Sequence, residues 1–176
     1  MGIGHIAKRD TISIMTLNEV QSAKIPALPV AAQLAGYAGL SPQLIAAFMI
    51  WSDTELRWIG LAAAYGYAAF IFSFLGGIWW GFGVIARKKD APAGTIFGLA
   101  VAPSLIAFVT YLPWIWGLDW PGPSMLLLGL CLMLSPLVDR WLVSQCHLPD
   151  SWLRLRWQLS LGLGGLTFML GIVALP

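Results

Sequence analysis

The chain has 176 residues, 59% hydrophobic and only 10% charged, with a mean hydropathy of +0.78. Soluble domains carry about 25% charged residues, so a water-soluble globular fold is excluded for want of polar surface, and the length leaves room for one domain with little outside the membrane. A net charge of +2 excludes general nucleic-acid binding, so what matters is where the basic residues lie.

Residues 1–27 are mixed, with Lys8, Arg9, Asp10, Glu19 and Lys24. They lack the apolar run of a secretory signal and read as a cytoplasmic N-terminal segment. Thr16-Leu17-Asn18-Glu19 has capping-box spacing. It predicts a short interfacial helix resting on Leu17, Val20 and Ala23, with a flexible tail as the alternative and Met15 as an alternative start. Residues 28–176 then read as a transmembrane domain. About 20 apolar residues cross the bilayer hydrocarbon, and five runs are long enough: 28–51, 58–86, 94–116, 124–146 and 157–175. Ser52-Asp53-Thr54-Glu55 offers N-cap residues to the second. Arg87, Lys88, Lys89 and Asp90 form a charged loop, and residues 117–123 a Gly- and Pro-rich turn. His147-Leu148-Pro149-Asp150 is the last loop, and a turn over residues 152–156 precedes the fifth span. The fold class is an all-α membrane protein, a bundle of five transmembrane helices with the termini on opposite sides.

Within the second run Ala69, Ser73, Gly77 and Gly81 recur every four residues. That spacing aligns them in one ridge of a helix, and small residues let a second helix approach closely. The ridge is expected to be the central packing surface, facing either an internal helix or a partner protein.

Five crossings put Lys8, Arg9, Lys24, Arg87, Lys88, Lys89, Arg140, Arg154 and Arg156 on one side; of the 10 basic residues only Arg57 falls on the other. By the positive-inside rule the N-terminus is cytoplasmic. The 10 tryptophans divide between the two boundaries: Trp51, Trp58, Trp114, Trp116 and Trp120 at the outer, Trp79, Trp80, Trp141, Trp152 and Trp157 towards the inner. Indole favours the interface because its body is apolar and its N–H polar. An aromatic ligand pocket built from Tyr37, Tyr65, Tyr67, Trp79 and Trp80 is the functional alternative.

Pro42, Pro103 and Pro136 fall inside spans. Each removes a donor and frees the carbonyl four residues earlier, at Ala38, Leu99 and Leu132. Nearby hydroxyls are available to satisfy them. Asp139 lies about 10 Å inside the end of its span, where an unpaired carboxylate costs several kcal/mol. It is expected to form a structural ion pair with Arg156 or Arg154, with Arg156 preferred, while Arg140 snorkels. Cys131 and Cys146, about 22 Å apart on one helix, cannot form a disulfide with each other. With His5 and His147 in tails or loops, no metal-spaced cluster is present, and no catalytic triad is visible.

Gly36-Tyr37-Ala38-Gly39-Leu40 with Pro42, Ser73-Phe74-Leu75-Gly76-Gly77-Ile78-Trp79-Trp80-Gly81, Pro103-Ser104, Asp139, and Pro149 with Trp152 and Leu155-Arg156 together resemble a family of unknown function that includes transmembrane protein 69 and bacterial relatives. The resemblance covers residue 34 to the end of the fifth span and rests mainly on Ser-Phe-Leu-Gly-Gly. It implies a small polytopic inner-membrane protein and no established reaction. Relatives often carry His or Arg before the Trp-Gly pair, where this chain has Trp79. In size, span count and tryptophan content the chain is also similar to tryptophan-rich sensory proteins, without their motifs.

The leading functional expectation is a non-catalytic accessory or assembly subunit, packed against a larger complex, such as a bioenergetic one, of a bacterial inner membrane. Its partners are membrane lipids and other membrane proteins or a second copy. No cofactor is expected beyond a bound lipid or pigment. The alternatives are a binder or carrier of a lipid, porphyrin or carotenoid, and a small-solute transporter using the proline kinks.

Overall fold

The computed structural model describes residues 28–52, 54–85, 93–144 and 150–175. All regular elements among them are helical: α1 (Val30–Ala38), α2 (Ser41–Ser52), α3 (Thr54–Ile85), α4 (Ala93–Ile115), α5 (Gly122–Val143) and α6 (Asp150–Val173). The expected interfacial helix near Thr16, the loop from Arg87 to Asp90, Cys146 and both histidines lie outside the described residues.

Among the described residues four helical stretches are long and apolar enough to cross a membrane: Val30–Ser52, which joins α1 and α2, then α3, Gly94–Ile115 and α5. By that measure the expected count of five is corrected to four. α6 has the length, 24 residues, or ~36 Å at a rise of 1.5 Å per residue. Arg154, Arg156, Gln158 and a set of glycines dilute its apolar character. It also starts earlier than expected. Residues 152–156 are helical rather than a turn, because no Gly or Pro interrupts Ser151-Trp152-Leu153-Arg154-Leu155-Arg156.

The first expected span is broken into α1 and α2 at Gly39 and Leu40. Pro42 cannot donate to Ala38, and the Ser41 hydroxyl donates to that carbonyl instead, at 2.7 Å. The Tyr67 hydroxyl donates to the Gly39 carbonyl. The same serine–proline device recurs in α5. There the Ser135 hydroxyl donates to Leu132 O at 2.8 Å, the carbonyl that Pro136 frees. α4 contains two prolines, Pro103 and Pro113.

Contacts at both ends show how the helices alternate. Arg57, in the first turn of α3, donates from Nη2 to Val173 O at the end of α6, 2.6 Å away. A cation is favourable there, at the negative end of the helix dipole. Near the opposite end, Leu28 N donates to Ser151 Oγ at 3.2 Å, and Phe82 packs edge-on to Trp152 at 5.4 Å.

Two seams of close backbone contact hold the bundle. Along α5 and α6, Gly129 faces Gly164 and Gly122 faces Gly171. A Cβ on Gly129 would sit 2.7 Å from Phe168 N and 2.8 Å from Gly164 O, and one on Gly122 would sit 2.9 Å from Ala174 O. Both pairs are seven residues apart along their helices, the repeat that keeps one stripe facing a neighbour in left-handed packing. The second seam belongs to α3. Its buried row is Gly60, Ala64, Ala68, Phe72 and Gly76. A Cβ on Gly60 would approach Ala46 O to 2.9 Å, and one on Gly76 would overlap Ala100 O. The internal contact surface of α3 is therefore this row, and not the Ala69, Ser73, Gly77 and Gly81 ridge one residue further round. A Cβ on Gly77 or Gly81 meets nothing within 4 Å among the described residues.

Candidate functional site

The most deeply buried charge is Asp139 on α5, whose side chain is 0% exposed. The structure brings it together with Arg156: Arg156 Nε donates to Oδ2 at 2.9 Å. Nη2 lies 2.8 Å from the same oxygen but off the hydrogen-bond direction, so it contributes charge rather than a second directed bond. Arg154 is exposed and Arg140 likewise. The other carboxylate oxygen accepts from Trp79 Nε1 at 2.7 Å. Trp79 is only 3% exposed, so it leaves the inner interfacial belt and serves as a buried donor. One carboxylate thus joins α3, α5 and α6 with both oxygens occupied. Sequence reasoning missed Trp79 as a partner, although a tryptophan in mid-span needs an acceptor for its N–H.

The remaining polar ties are also between helices. The Gln43 side chain, 0% exposed, donates from Nε2 to Thr167 Oγ1 at 3.0 Å, and Thr167 Oγ1 donates to Leu163 O at 2.8 Å. Gln43 Oε1 has no partner among the described residues. Ser135 and Ser160 hydroxyls lie 3.2 Å apart.

The five aromatic residues expected to form one pocket do not converge. Tyr37 donates to Gln158 Oε1 at 2.6 Å on the α1–α6 side. Tyr67 lines a cavity of ≈ 340 Å³ with Gly36, Gly39, Leu75, Arg156 and Ser160, between α1, α3 and α6. Trp79 is committed to Asp139. Trp80 is half exposed and packs against Phe97 at 4.8 Å. Only Tyr65 lies in the larger cleft, ≈ 520 Å³, between α3 and α4.

That cleft has a local cause. α3 and α4 touch backbone to backbone at Gly76 and Ala100. One turn further along, Ser73 faces Ser104, next to the Pro103 kink, and the space begins. Ala69, Gly66 and Ala62 keep the α3 wall thin, and Ala107 does the same on α4. The far end is closed by aromatic rings. Trp120 meets Tyr65 edge-on at 5.0 Å, Trp58 at 5.5 Å and Trp114 at 5.6 Å. The Tyr65 hydroxyl donates to Ala107 O at 3.1 Å and sits 3.0 Å from Thr110 Oγ1. The sequence signal for the cleft was present in the outer tryptophans, but these had been assigned only to the interface. The expected ridge is divided between the two surroundings: Ala69 and Ser73 line the cleft, while Gly77 and Gly81 continue it as an open strip.

No curated protein and no solved structure matches the chain, so the narrower likeness to transmembrane protein 69 rests on sequence motifs alone. The helical domain described above, from two residues before α1 to the last of α6, coincides with a family match over residues 28–173, and the chain belongs to that family, described as "Protein of unknown function (DUF3429)".

Proposed function

We propose that this protein is a non-catalytic membrane subunit that docks onto a larger membrane assembly, or helps to build it, through the open face of α3. The observation that carries this reading is the room beside Gly77 and Gly81, where an added Cβ meets nothing within 4 Å. Gly94 and Gly98 on α4 have the same spacing and the same open space. In lipid, helices associate by close packing rather than by hydrophobic transfer, and pairs of small residues four apart permit that approach. The large side chains beside the strip, Phe74, Trp80 and Val84, are 50–70% exposed and frame a groove for a partner helix.

In this reading α6 is the fifth crossing, carried by its seam with α5 despite its polar content. Its ties to Arg57 at one end and to Leu28 at the other support a full-length passage. The N-terminus then lies on the cytoplasmic face of a bacterial inner membrane, with nine of the 10 basic residues.

Photo-crosslinking amino acids at positions 77 and 81, in native membranes, should give discrete heavier adducts that a probe replacing the buried ring of Phe72 does not. Gly77→Leu should remove the adducts without changing the melting temperature. A chain that forms no adduct from either position and migrates alone in mild detergent refutes the docking reading. Cysteines at positions 88 and 119 should label from opposite sides; labelling from the same side refutes the orientation.

A further inference from the structure

The α3–α4 cleft contains polar groups that its own helices leave unused. Trp120 Nε1 is buried and has no acceptor among the described residues. The edge-on ring of Tyr65 offers at most a weak N–H···π contact. Ser73 and Ser104 form no hydrogen bond among the described residues. Elsewhere in the bundle, Ser41, Ser135, Thr110 and Thr167 each donate to a carbonyl three or four residues back. In hydrocarbon an unpaired polar group costs free energy that water cannot relieve. The cleft therefore holds one buried N–H donor without an acceptor, at Trp120, and two hydroxyls with no hydrogen bond among the described residues.

The lining defines what would complete it. Among the described residues no charged side chain contributes, so the missing acceptor is taken as neutral: a carboxylate- or phosphate-bearing ligand would be desolvated there without a counter-charge. The walls are aromatic and aliphatic, and Phe70 and Phe108 at the mouth are 75% and 58% exposed, which opens the cleft sideways to lipid. From Trp58 to Ser73 the α3 wall runs 15 residues, ~22 Å, enough for a ring and a stretch of chain. The rings of Tyr65, Tyr111, Trp114 and Trp120 gather at one end, where a flat head group can stack.

We propose that this cleft binds a neutral membrane-soluble molecule with carbonyl acceptors on a flat ring and an apolar tail, the chemistry of an isoprenoid quinone. The Trp120 N–H donates to one carbonyl oxygen, and the apolar tail runs along the α3 wall past Ser73 and Ser104 and leaves between Phe70 and Phe108. The assignment is independent of docking at Gly77 and Gly81.

The test uses the full chain in phosphatidylcholine nanodiscs, titrated with a short-tailed ubiquinone and, separately, with β-carotene, which has no carbonyl. Binding is read by quenching of tryptophan fluorescence and by the amount of quinone retained after gel filtration. Saturable binding at one quinone per chain is expected. Trp120→Phe, which keeps the ring but loses the donor, should weaken it about five- to tenfold. Ser73→Phe, which fills the cleft from a lipid-accessible position, should abolish it while the melting temperature stays unchanged. Non-saturable quenching, equal binding of β-carotene, or unaltered quinone binding by both variants would overturn the proposal. So would a phospholipid that remains bound through purification and is not displaced by quinone.

Discussion

The Trp79–Asp139–Arg156 contact makes the sharpest energetic prediction. Asp139→Asn keeps the shape of the side chain and an oxygen for Trp79 Nε1, but it removes the charge facing Arg156. The guanidinium, with its side chain 11% exposed, is then left buried beside an amide. Breaking a buried pair by removing one partner costs about 3–5 kcal/mol, because the surviving charge has lost its compensation. For a domain of this size about 1 kcal/mol corresponds to ~2–4 °C in melting temperature, so the midpoint should fall by roughly 6–20 °C. Trp79→Phe removes one donor and leaves the ion pair, and should cost about 1–3 kcal/mol. Asp139→Leu combined with Arg156→Met removes both charges together. It should melt within about 1 kcal/mol of the wild type, since apolar replacement of a whole buried pair is often neutral or stabilising. The assay is thermal unfolding in detergent followed by size-exclusion chromatography, arranged as a double-mutant cycle. If Asp139→Asn melts with the wild type, or if the paired replacement is as damaging as the sum of the single ones, the carboxylate is not held there to join three helices.

Three further outcomes follow from the packing. Gly129→Val should cost about 3 kcal/mol and broaden the chromatographic peak, because its Cβ meets backbone atoms of α6 that cannot yield, whereas Gly165→Ala, with open space beside it, should melt with the wild type. Ser135→Ala should cost about 1–3 kcal/mol by orphaning the Leu132 carbonyl. Adding Pro136→Ala should recover much of the loss, since the restored amide can donate to the same oxygen. Thr167→Val should destabilise by about 1–3 kcal/mol because it strips the Gln43 amide of its partner, while Gln43→Leu, which also removes the unpaired Oε1, should lie within about 1 kcal/mol of the wild type. Both are read by the same melting assay.

How much of this was legible depended on whether a feature is local or relational. Helix positions were readable because lipid as solvent imposes long apolar runs, and the ends of α4 and α5 fall within about three residues of the spans read from sequence. The carbonyls freed by Pro42 and Pro136 were identifiable, since proline acts on a residue at a fixed offset, and the adjacent serines are the residues that satisfy them. Asp139 announced its need for a cation from depth alone. Trp79 as its second partner did not, because that contact depends on how α3 is rotated against α5. The start of α6 was misplaced because Arg154 and Arg156 were read as loop residues. On this helix they are amphipathic positions, one exposed and one turned to Asp139.

Rotation is also why periodicity leaves open whether the glycine ridge faces an internal helix or a partner. On α3 the rows 60/64/68/72/76 and 69/73/77/81 are both built largely from small residues, and they sit one residue apart, about 100° round the helix. Periodicity alone cannot rank them. What ranks them is the neighbour available to each. The first row meets the backbones of α2 and α4 at Ala46 and Ala100, while Gly77 and Gly81 of the second meet nothing within 4 Å among the described residues. A helix that carries small residues on two adjacent faces uses one to close its own bundle, and the other lies open along its length. On the second face, Ala69 and Ser73 widen a cleft while Gly77 and Gly81 leave a strip bare. The residues that do not hold this fold together are therefore the ones with room to meet something else.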